Sequence, residues 1–151
     1  MSKVCDYWPE GMLTPELFER NIDAQRKWYG RRQPYTDFID EIAKIDGLIV
    51  DVASGPGGSV SGGLVPLLDE QTHFVMSDAA RQILHGLKAA WSKLEHRAKL
   101  DYLAFDGNQM PFGDETIDAF TAYFGFMARR MIPPASARHA ATLPIARPTA
   151  P

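Results

Sequence analysis

Cysteine is almost absent from this chain. Cys5 is the only one in 151 residues, which excludes a disulfide framework and a thiolate metal site. Its place near the start reads as incidental rather than catalytic. The four histidines, His73, His85, His96 and His139, lack the spacing of metal ligands, so no metal is expected. No lysine lies between Lys44 and Lys88, so no phosphate-binding P-loop can close in the middle of the chain. No run approaches the roughly 20 apolar residues of a membrane span. The first residues carry Cys5, Asp6 and Pro9 where a secretory signal needs an apolar stretch. The formal net charge is −3, and no basic face outside the last residues suggests nucleic acid. Together these absences lead to the expectation of a soluble, cytoplasmic protein with no membrane span and no nucleic-acid partner.

A second set of absences divides the chain. Residues 127–151 contain seven Ala, five Pro and four Arg, and no Asp, Glu, Lys, Gly, Phe, Tyr, Trp or Val. Such a segment has too little large apolar surface to offset its ordering entropy. It is expected to be a disordered tail outside the domain's own pattern, and the abrupt change after Phe126 favours foreign sequence following a frameshift or truncation over a native Pro/Ala-rich extension. Residues 1–126 carry the pattern of one globular domain.

Within that stretch strands and helices alternate. Thr14 followed by Pro15 predicts a helix start, a hydroxyl cap with proline at the first helical position. Leu17, Phe18, Ile22, Trp28 and Tyr29 continue one apolar stripe to about residue 29. Thr36 is read as the cap of a second helix with Phe38, Ile39, Ile42 and Ile45 inward, stopped by Asp46-Gly47. Residues 48–52, 72–77, 100–105 and 117–124 predict four strands. Between the first two, Gly62, Gly63 and Pro66 predict a short or irregular helix settling only near residues 64–69. Ala80, Ile83, Leu84, Leu87, Trp91 and Leu94 mark the clearest helix, over 79–94. The order implies an α/β fold with a parallel sheet. By this reading residues 1–35 form an N-terminal helical cap segment, 36–126 a binding domain, and 127–151 the tail.

The richest stretch is "LIVDVASGPGG", residues 48–58. Apolar residues surround Asp51, and Gly55, Gly57 and Gly58 follow, where a missing Cβ lets a ligand approach the backbone. A carboxylate at a strand end repels a pyrophosphate but can organise a loop for a cationic, amino-acid-like ligand. The next two strands also end in acids, Asp78 and Asp106. Ligands of open parallel sheets bind at these carboxyl ends. Each acid matches a part of S-adenosylmethionine (SAM): Asp51 orients the glycine turn by accepting from loop amides, Asp78 takes the ribose hydroxyls, and Asp106 with Gly107 meets the adenine amine. Any one of the three alone is more often a turn former or helix cap; their conjunction in order is what points to a cofactor. A dinucleotide fingerprint starting at Gly55 would need glycine where Val60 stands. Ser59 and Ser61 lack the context of a hydrolase nucleophile.

These residues resemble the class I SAM-dependent methyltransferases, in particular the small-molecule branch near the ubiquinone/menaquinone-biosynthesis C-methyltransferases. "LIVDVASGPGG" resembles that family's first motif, "HFVMSDAARQIL" its second strand with the ribose acid, and "LAFDGNQMPFGDETIDAFTAYFGF" its adenine acid, following turn and fourth strand. The resemblance implies a Rossmann-like fold and SAM as cofactor. It places cofactor binding on Asp51, Ala53, Gly55, Gly57, Asp78, Asp106, Gly107 and Asn108. Ala53 stands where the family's first glycine usually sits, and Met110 replaces a leucine. The family's sheet order is 3-2-1-4 followed by 5-7-6. The chain is read as supplying 3-2-1-4 with strands 5–7 missing, so that the fourth strand is left as an open apolar edge and a homodimer through that edge becomes an option.

The reading that follows is a SAM-dependent methyltransferase of a small-molecule substrate, in a truncated form with impaired activity. Its alternative is a non-catalytic SAM-binding remnant or assembly module, and the weakest rival is a nucleotide-dependent oxidoreductase. No catalytic base is named, because methyl transfer rests largely on positioning. Trp28, Tyr29, Tyr35, Tyr123 and Phe124 are substrate-side candidates, for each of which core packing is the preferred role.

Overall fold

Among the described residues five parallel strands form one sheet. The computed structural model describes residues 11–56 and 58–123, and the backbone of 137–141. The expectations for Cys5, Gly57 and Phe124, and for residues 127–136 and 142–151, lie outside these. The elements are α1 (Pro15–Trp28), α2 (Gln33–Ala43), β1 (Gly47–Asp51), α3 (Ser61–Leu64) running into a 3-10 turn (Val65–Leu67), β2 (Thr72–Asp78), α4 (Arg81–Trp91), β3 (Lys99–Ala104), β4 (Ile117–Thr121) and β5 (Ala137–Ala141). Among the described residues no helix is long and apolar enough to cross a membrane.

Local chemistry accounts for most boundaries. The Thr14 hydroxyl accepts from the Leu17 amide at 3.3 Å and Pro15 opens α1, as the sequence predicts. The second helix starts earlier than expected. It begins at Gln33 with Pro34 in its first turn, where a proline's missing N–H costs nothing, and Thr36 instead bonds the Gly30 amide through its hydroxyl. The helix after the glycine loop also begins earlier, at Ser61, and has ended its 3-10 extension by Leu67 rather than starting near residue 64. Here packing overrides propensity: a Cβ at Gly62 would run into Gln25, and one at Gly63 into the Tyr35 hydroxyl. The glycines that weaken this helix in isolation are what let α1 and α2 lie against it.

The sheet alternates as its period-two geometry requires. Ile49, Phe74, Met76 and Ala119 pack with Phe18, Ile22, Ile39, Ile42, Leu64, Leu87 and Trp91 from the helices. Val50, Val52, Val75 and Phe120 form a second cluster, against which Leu48, Phe105, Met110 and Phe112 pack. Phe18 and Ile22 of α1 are each 1% exposed, so the first helix is built into the same core as β1 and β2. The boundary drawn at residue 35 falls inside α2. Burying a side chain of this size contributes roughly 1.5–3 kcal/mol; Ile22→Ala is therefore a direct way to loosen α1 from the sheet.

The sheet order 3-2-1-4 is as the sequence reading has it, with β1 paired to β2 and to β4, and β2 to β3, all in parallel. One correction concerns its end. The fourth-strand edge is not open: β5 pairs with it in parallel, from Ile117 with Ala137 to Thr121 with Ala141. So a fifth strand is present, part of the supposed tail is sheet, and the edge proposed for a homodimer is already occupied. Backbone pairing needs no large side chains, so Ala-Arg-His-Ala-Ala can serve as a strand although its composition argues against it. Residues 122–136 between the two strands are long enough for a parallel crossover, which takes about a dozen residues.

Candidate functional site

The carboxyl ends of β1, β2 and β4 meet around Asp51, which is 2% exposed. Its two carboxyl oxygens accept from two hydroxyls, Ser54 Oγ at 2.6 Å and Thr121 Oγ1 at 2.8 Å. Ser77 Oγ donates to the Asp51 carbonyl at 2.8 Å, and the Ser77 amide donates to Ser54 Oγ at 3.2 Å. The backbone closes the same knot: the Ser54 amide bonds the Ser77 carbonyl and the Val52 amide bonds the Thr121 carbonyl, both at 2.8 Å. Three adjacent strands are thereby tied at the point where the glycine loop leaves the sheet.

Burial pushes the Asp51 carboxyl up from an ordinary 3.8 to about 7; the Ser54 and Thr121 hydroxyl bonds pull it down, and the nearby Asp78 charge adds to the rise. The role assigned to Asp51 from sequence needs correction. Its carboxyl is held by hydroxyls of the loop and of β4 rather than by loop amides. The carboxylate that takes a loop amide is Asp78, whose Oδ2 accepts from Gly55 N at 3.1 Å while Oδ1 accepts from Ala80 N at 2.9 Å. Burial raises the Asp78 pKa, opposed by the amides of Ala80, Gly55 and Ala79. Two carboxylate oxygens offer about four acceptor sites, so these amides leave acceptor capacity over.

The loop itself turns through positive φ at Ala53 (55°), Gly55 (61°) and Gly58 (53°). Alanine at 53 is thus in the left-handed region, at a cost of about 1–2 kcal/mol, so the departure from glycine is tolerated with strain. At Gly55 an added Cβ would meet only the Ala53 carbonyl, at 3.9 Å. A Cβ there has room, while the amide of the same residue is bonded to the Asp78 carboxylate. A carboxylate with spare acceptor capacity next to an uncrowded glycine fits an organic ligand with hydroxyl donors.

Asp106, Gly107 and Asn108 follow β3, two residues past Ala104, which is the register partner of Asp78. Asp106 Oδ1 accepts from the amide and from the side-chain Nδ2 of Asn108, each at 2.9 Å. This is a tight acidic turn of the kind a strand-end Asp commonly makes, and it stands next to the Asp78 strand end. The structure therefore ties Asp51 to Ser54, Ser77 and Thr121 and Asp78 to Gly55 at neighbouring strand ends, with Ala53 in the loop between them and the Asp106 turn after the strand next to Asp78.

Two residues belong with the loop that the sequence did not single out for it. Asn21 Nδ2 donates to the Pro56 carbonyl at 3.1 Å. The Tyr35 hydroxyl donates to the Ser59 carbonyl at 2.9 Å. Tyr35 is 3% exposed, and its ring meets Tyr123 edge-on at 6.0 Å. Burial, with Tyr123 adding to it, holds its hydroxyl well above the usual tyrosine range. Gln25, close to Gly62, is buried with its carbonyl oxygen unpartnered. Of the other aromatic candidates, Tyr29 bonds Asp40 at 2.7 Å, and the Arg32 guanidinium lies 4.4 Å over the Trp28 ring; both are occupied in helix–helix contacts. Among the described residues no group of three His, Cys, Asp or Glu side chains is placed to hold a metal.

No protein-family model matches the chain, and no curated protein does. Solved structures do. A SAM-dependent methyltransferase from Aquifex aeolicus aligns at 18% identity with a TM-score of 0.56, over 76% of this chain and 59% of its own. A protein of Bacillus halodurans C-125 assigned as a methyltransferase aligns at 29% identity with a TM-score of 0.47, over 58% of this chain and 36% of its own. Magnesium protoporphyrin IX methyltransferase of Synechocystis PCC 6803, solved with bound SAH, aligns at 18% identity with a TM-score of 0.42, over 74% and 44%. The chain spans between 36% and 59% of the length of these three. The Aquifex comparison gives it the Rossmann-like fold of the SAM-dependent methyltransferases, in line with the class I resemblance of its motifs.

Proposed function

We propose that the chain, with its SAM-methyltransferase fold, binds SAM at the carboxyl ends of β1 and β2 and serves methyl transfer to a small molecule. The observation that supports this best is the Gly55–Asp78 pair: a strand-end carboxylate that accepts from a loop amide, at a glycine where an added Cβ would meet only the Ala53 carbonyl. Asp78 would take the ribose hydroxyls, the 53–58 loop the methionine portion, and the Asp106 turn with Gly107 and Asn108 the adenine. Asp51 would hold the loop in shape through Ser54. When bound, SAM supplies an activated methyl on a positively charged sulfur. The acidic strand ends suit that charge.

The chain's own contribution to the reaction is positional. A loop fixed by Asp51, Ser54 and Ser77 orients the ligand, and the transfer needs no dedicated base. The ring of Tyr123, after β4 and against Tyr35 and Phe38, is the aromatic wall offered to an acceptor. A small-molecule acceptor agrees with a formal charge of −3, which gives no electrostatic footprint for nucleic acid.

The test is calorimetric titration with SAM, S-adenosylhomocysteine, NAD and ATP, followed by an assay for the demethylated product over a panel of quinone-, sterol- and amine-type acceptors. SAM and its product should bind while NAD and ATP do not. Micromolar binding of NAD or ATP would overturn the assignment in favour of a nucleotide-dependent enzyme. SAM binding without turnover on any acceptor would favour a binding module.

A further inference from the structure

The glycine loop is held from two sides. On the sheet side stand Asp51, Ser77 and Asp78, all at strand ends. On the helix side stand α1 and α2, which touch the loop through two side-chain bonds to its carbonyls. We propose that Asn21 and Tyr35 are positioning residues for the cofactor loop, setting the affinity of the site from the helical face without touching the ligand. The proposal rests on the reading of this loop as a SAM site.

Three observations carry it. First, the bonds are specific: Asn21 Nδ2 to the Pro56 carbonyl at 3.1 Å and the Tyr35 hydroxyl to the Ser59 carbonyl at 2.9 Å. They grip the loop on both sides of its glycine-rich centre, where the backbone has fewest constraints of its own. Second, the approach of the helices is built into the sequence. Gly62 and Gly63 leave room for Gln25 and for the Tyr35 hydroxyl, and at Gly58 a Cβ would sit 3.0 Å from both Ile22 Cγ1 and Ser61 Oγ. Third, the Tyr35 ring is held independently of its hydroxyl. The ring of Tyr35 is fixed by Tyr123 and by burial, while its hydroxyl lies against Gly63 and donates to the Ser59 carbonyl, so it ties the ring to the loop and to the start of α3. A loop ordered in advance binds more tightly because less freedom is lost when the ligand arrives.

The experiment compares wild type with Tyr35→Phe, Asn21→Ala, the double variant and Glu19→Ala. Glu19→Ala removes an exposed bond between α1 and Lys93, away from the loop, and reports what general loosening of α1 does. S-adenosylhomocysteine affinity is read by calorimetry, and amide hydrogen exchange over residues 52–60 is read in the ligand-free protein. Tyr35→Phe and Asn21→Ala should each weaken binding about 3- to 10-fold, the scale of one hydrogen bond. The double variant should weaken it further, and exchange in the loop should accelerate in all three while the urea midpoint moves little. Glu19→Ala should bind as wild type does. Wild-type affinity and loop exchange in Tyr35→Phe and Asn21→Ala would overturn the proposal, as would equal weakening in Glu19→Ala. A folded wild-type chain that binds neither SAM nor its product would overturn it together with the reading on which it rests.

Discussion

Toward the amino ends of β2 and β3, His73 and Asp101 meet at 2.6 Å with Lys99 at 3.5 Å from the same carboxylate, all in contact with solvent. At the carboxyl ends of β1 and β2, Asp51 lies buried among Ser54, Ser77 and Thr121, and Asp78 is fixed by backbone amides. The first group sets an imidazole and an ammonium against one carboxylate where water screens them, so each contact contributes about 0–1 kcal/mol. The second buries carboxylates whose partners are hydroxyls and amides. Burial without a cationic partner raises the pKa of both Asp51 and Asp78. An arrangement that makes ionisation harder at a strand end is poor economy for folding alone and is characteristic of ligand sites. The contrast sets the proposed site at the carboxyl ends of the strands apart from an ordinary surface cluster.

Asp51→Ala is the strongest way to break the contrast. It leaves the buried Thr121 hydroxyl without its acceptor, leaves Ser54 only the carbonyl of residue 51, and opens a void. Stability measured by urea unfolding should fall by roughly 3 kcal/mol, and SAM affinity should fall with it. A loss under 0.5 kcal/mol would mean that the knot of hydroxyls is dispensable.

The pH dependence sharpens the same point. The folded-state pKa of Asp51, about 7, lies above its ordinary 3.8, so the native state holds this proton more tightly than the unfolded chain. Its contribution is therefore complete below about pH 4 and declines as pH rises toward 7, at up to about 1.4 kcal/mol per pH unit. Asp78 shifts in the same direction. The stability difference between wild type and Asp51→Asn, followed by urea unfolding from pH 4 to 8, should fall with pH and level off near 7. A difference that is flat, or that rises, contradicts the assignment.

Ala53→Gly relieves the left-handed backbone at the start of the loop and should raise stability by about 1 kcal/mol; a lower melting temperature would show that the alanine methyl matters more than the strain. At the opposite end, His73→Ala should change stability by no more than about 1 kcal/mol. A larger loss there would erase the distinction between the two ends.

Much of this was legible in the sequence because it depends on local chemistry. Apolar runs ending in Asp51 and Asp78, and the Thr14-Pro15 start of α1, follow from patterns a few residues long. What was illegible depends on distant partners. Thr121 lies 70 residues from Asp51, and nothing near it marks it as a hydroxyl donor to that carboxyl. Tyr35 and Asn21 reach the loop only because two helices fold back onto it. Gly62 and Gly63 read as helix breakers and prove to be the room those helices need. The fifth strand was hidden for a different reason: pairing through the backbone leaves no mark on a composition of Ala, Arg and His. In the Asp106 segment the turn itself was foreseeable, while its service to adenine remains part of the proposed function.

The central claim is that the Gly55–Asp78 corner is a SAM site. Calorimetric titration of SAM into the wild-type chain and into Asp78→Ala, each checked for a folded far-UV spectrum, tests it most directly. The account predicts saturable binding by wild type and a loss of roughly 1.5–3 kcal/mol, about ten- to a hundredfold in affinity, in the variant. No binding by folded wild type, or equal affinity in the two proteins, would contradict it.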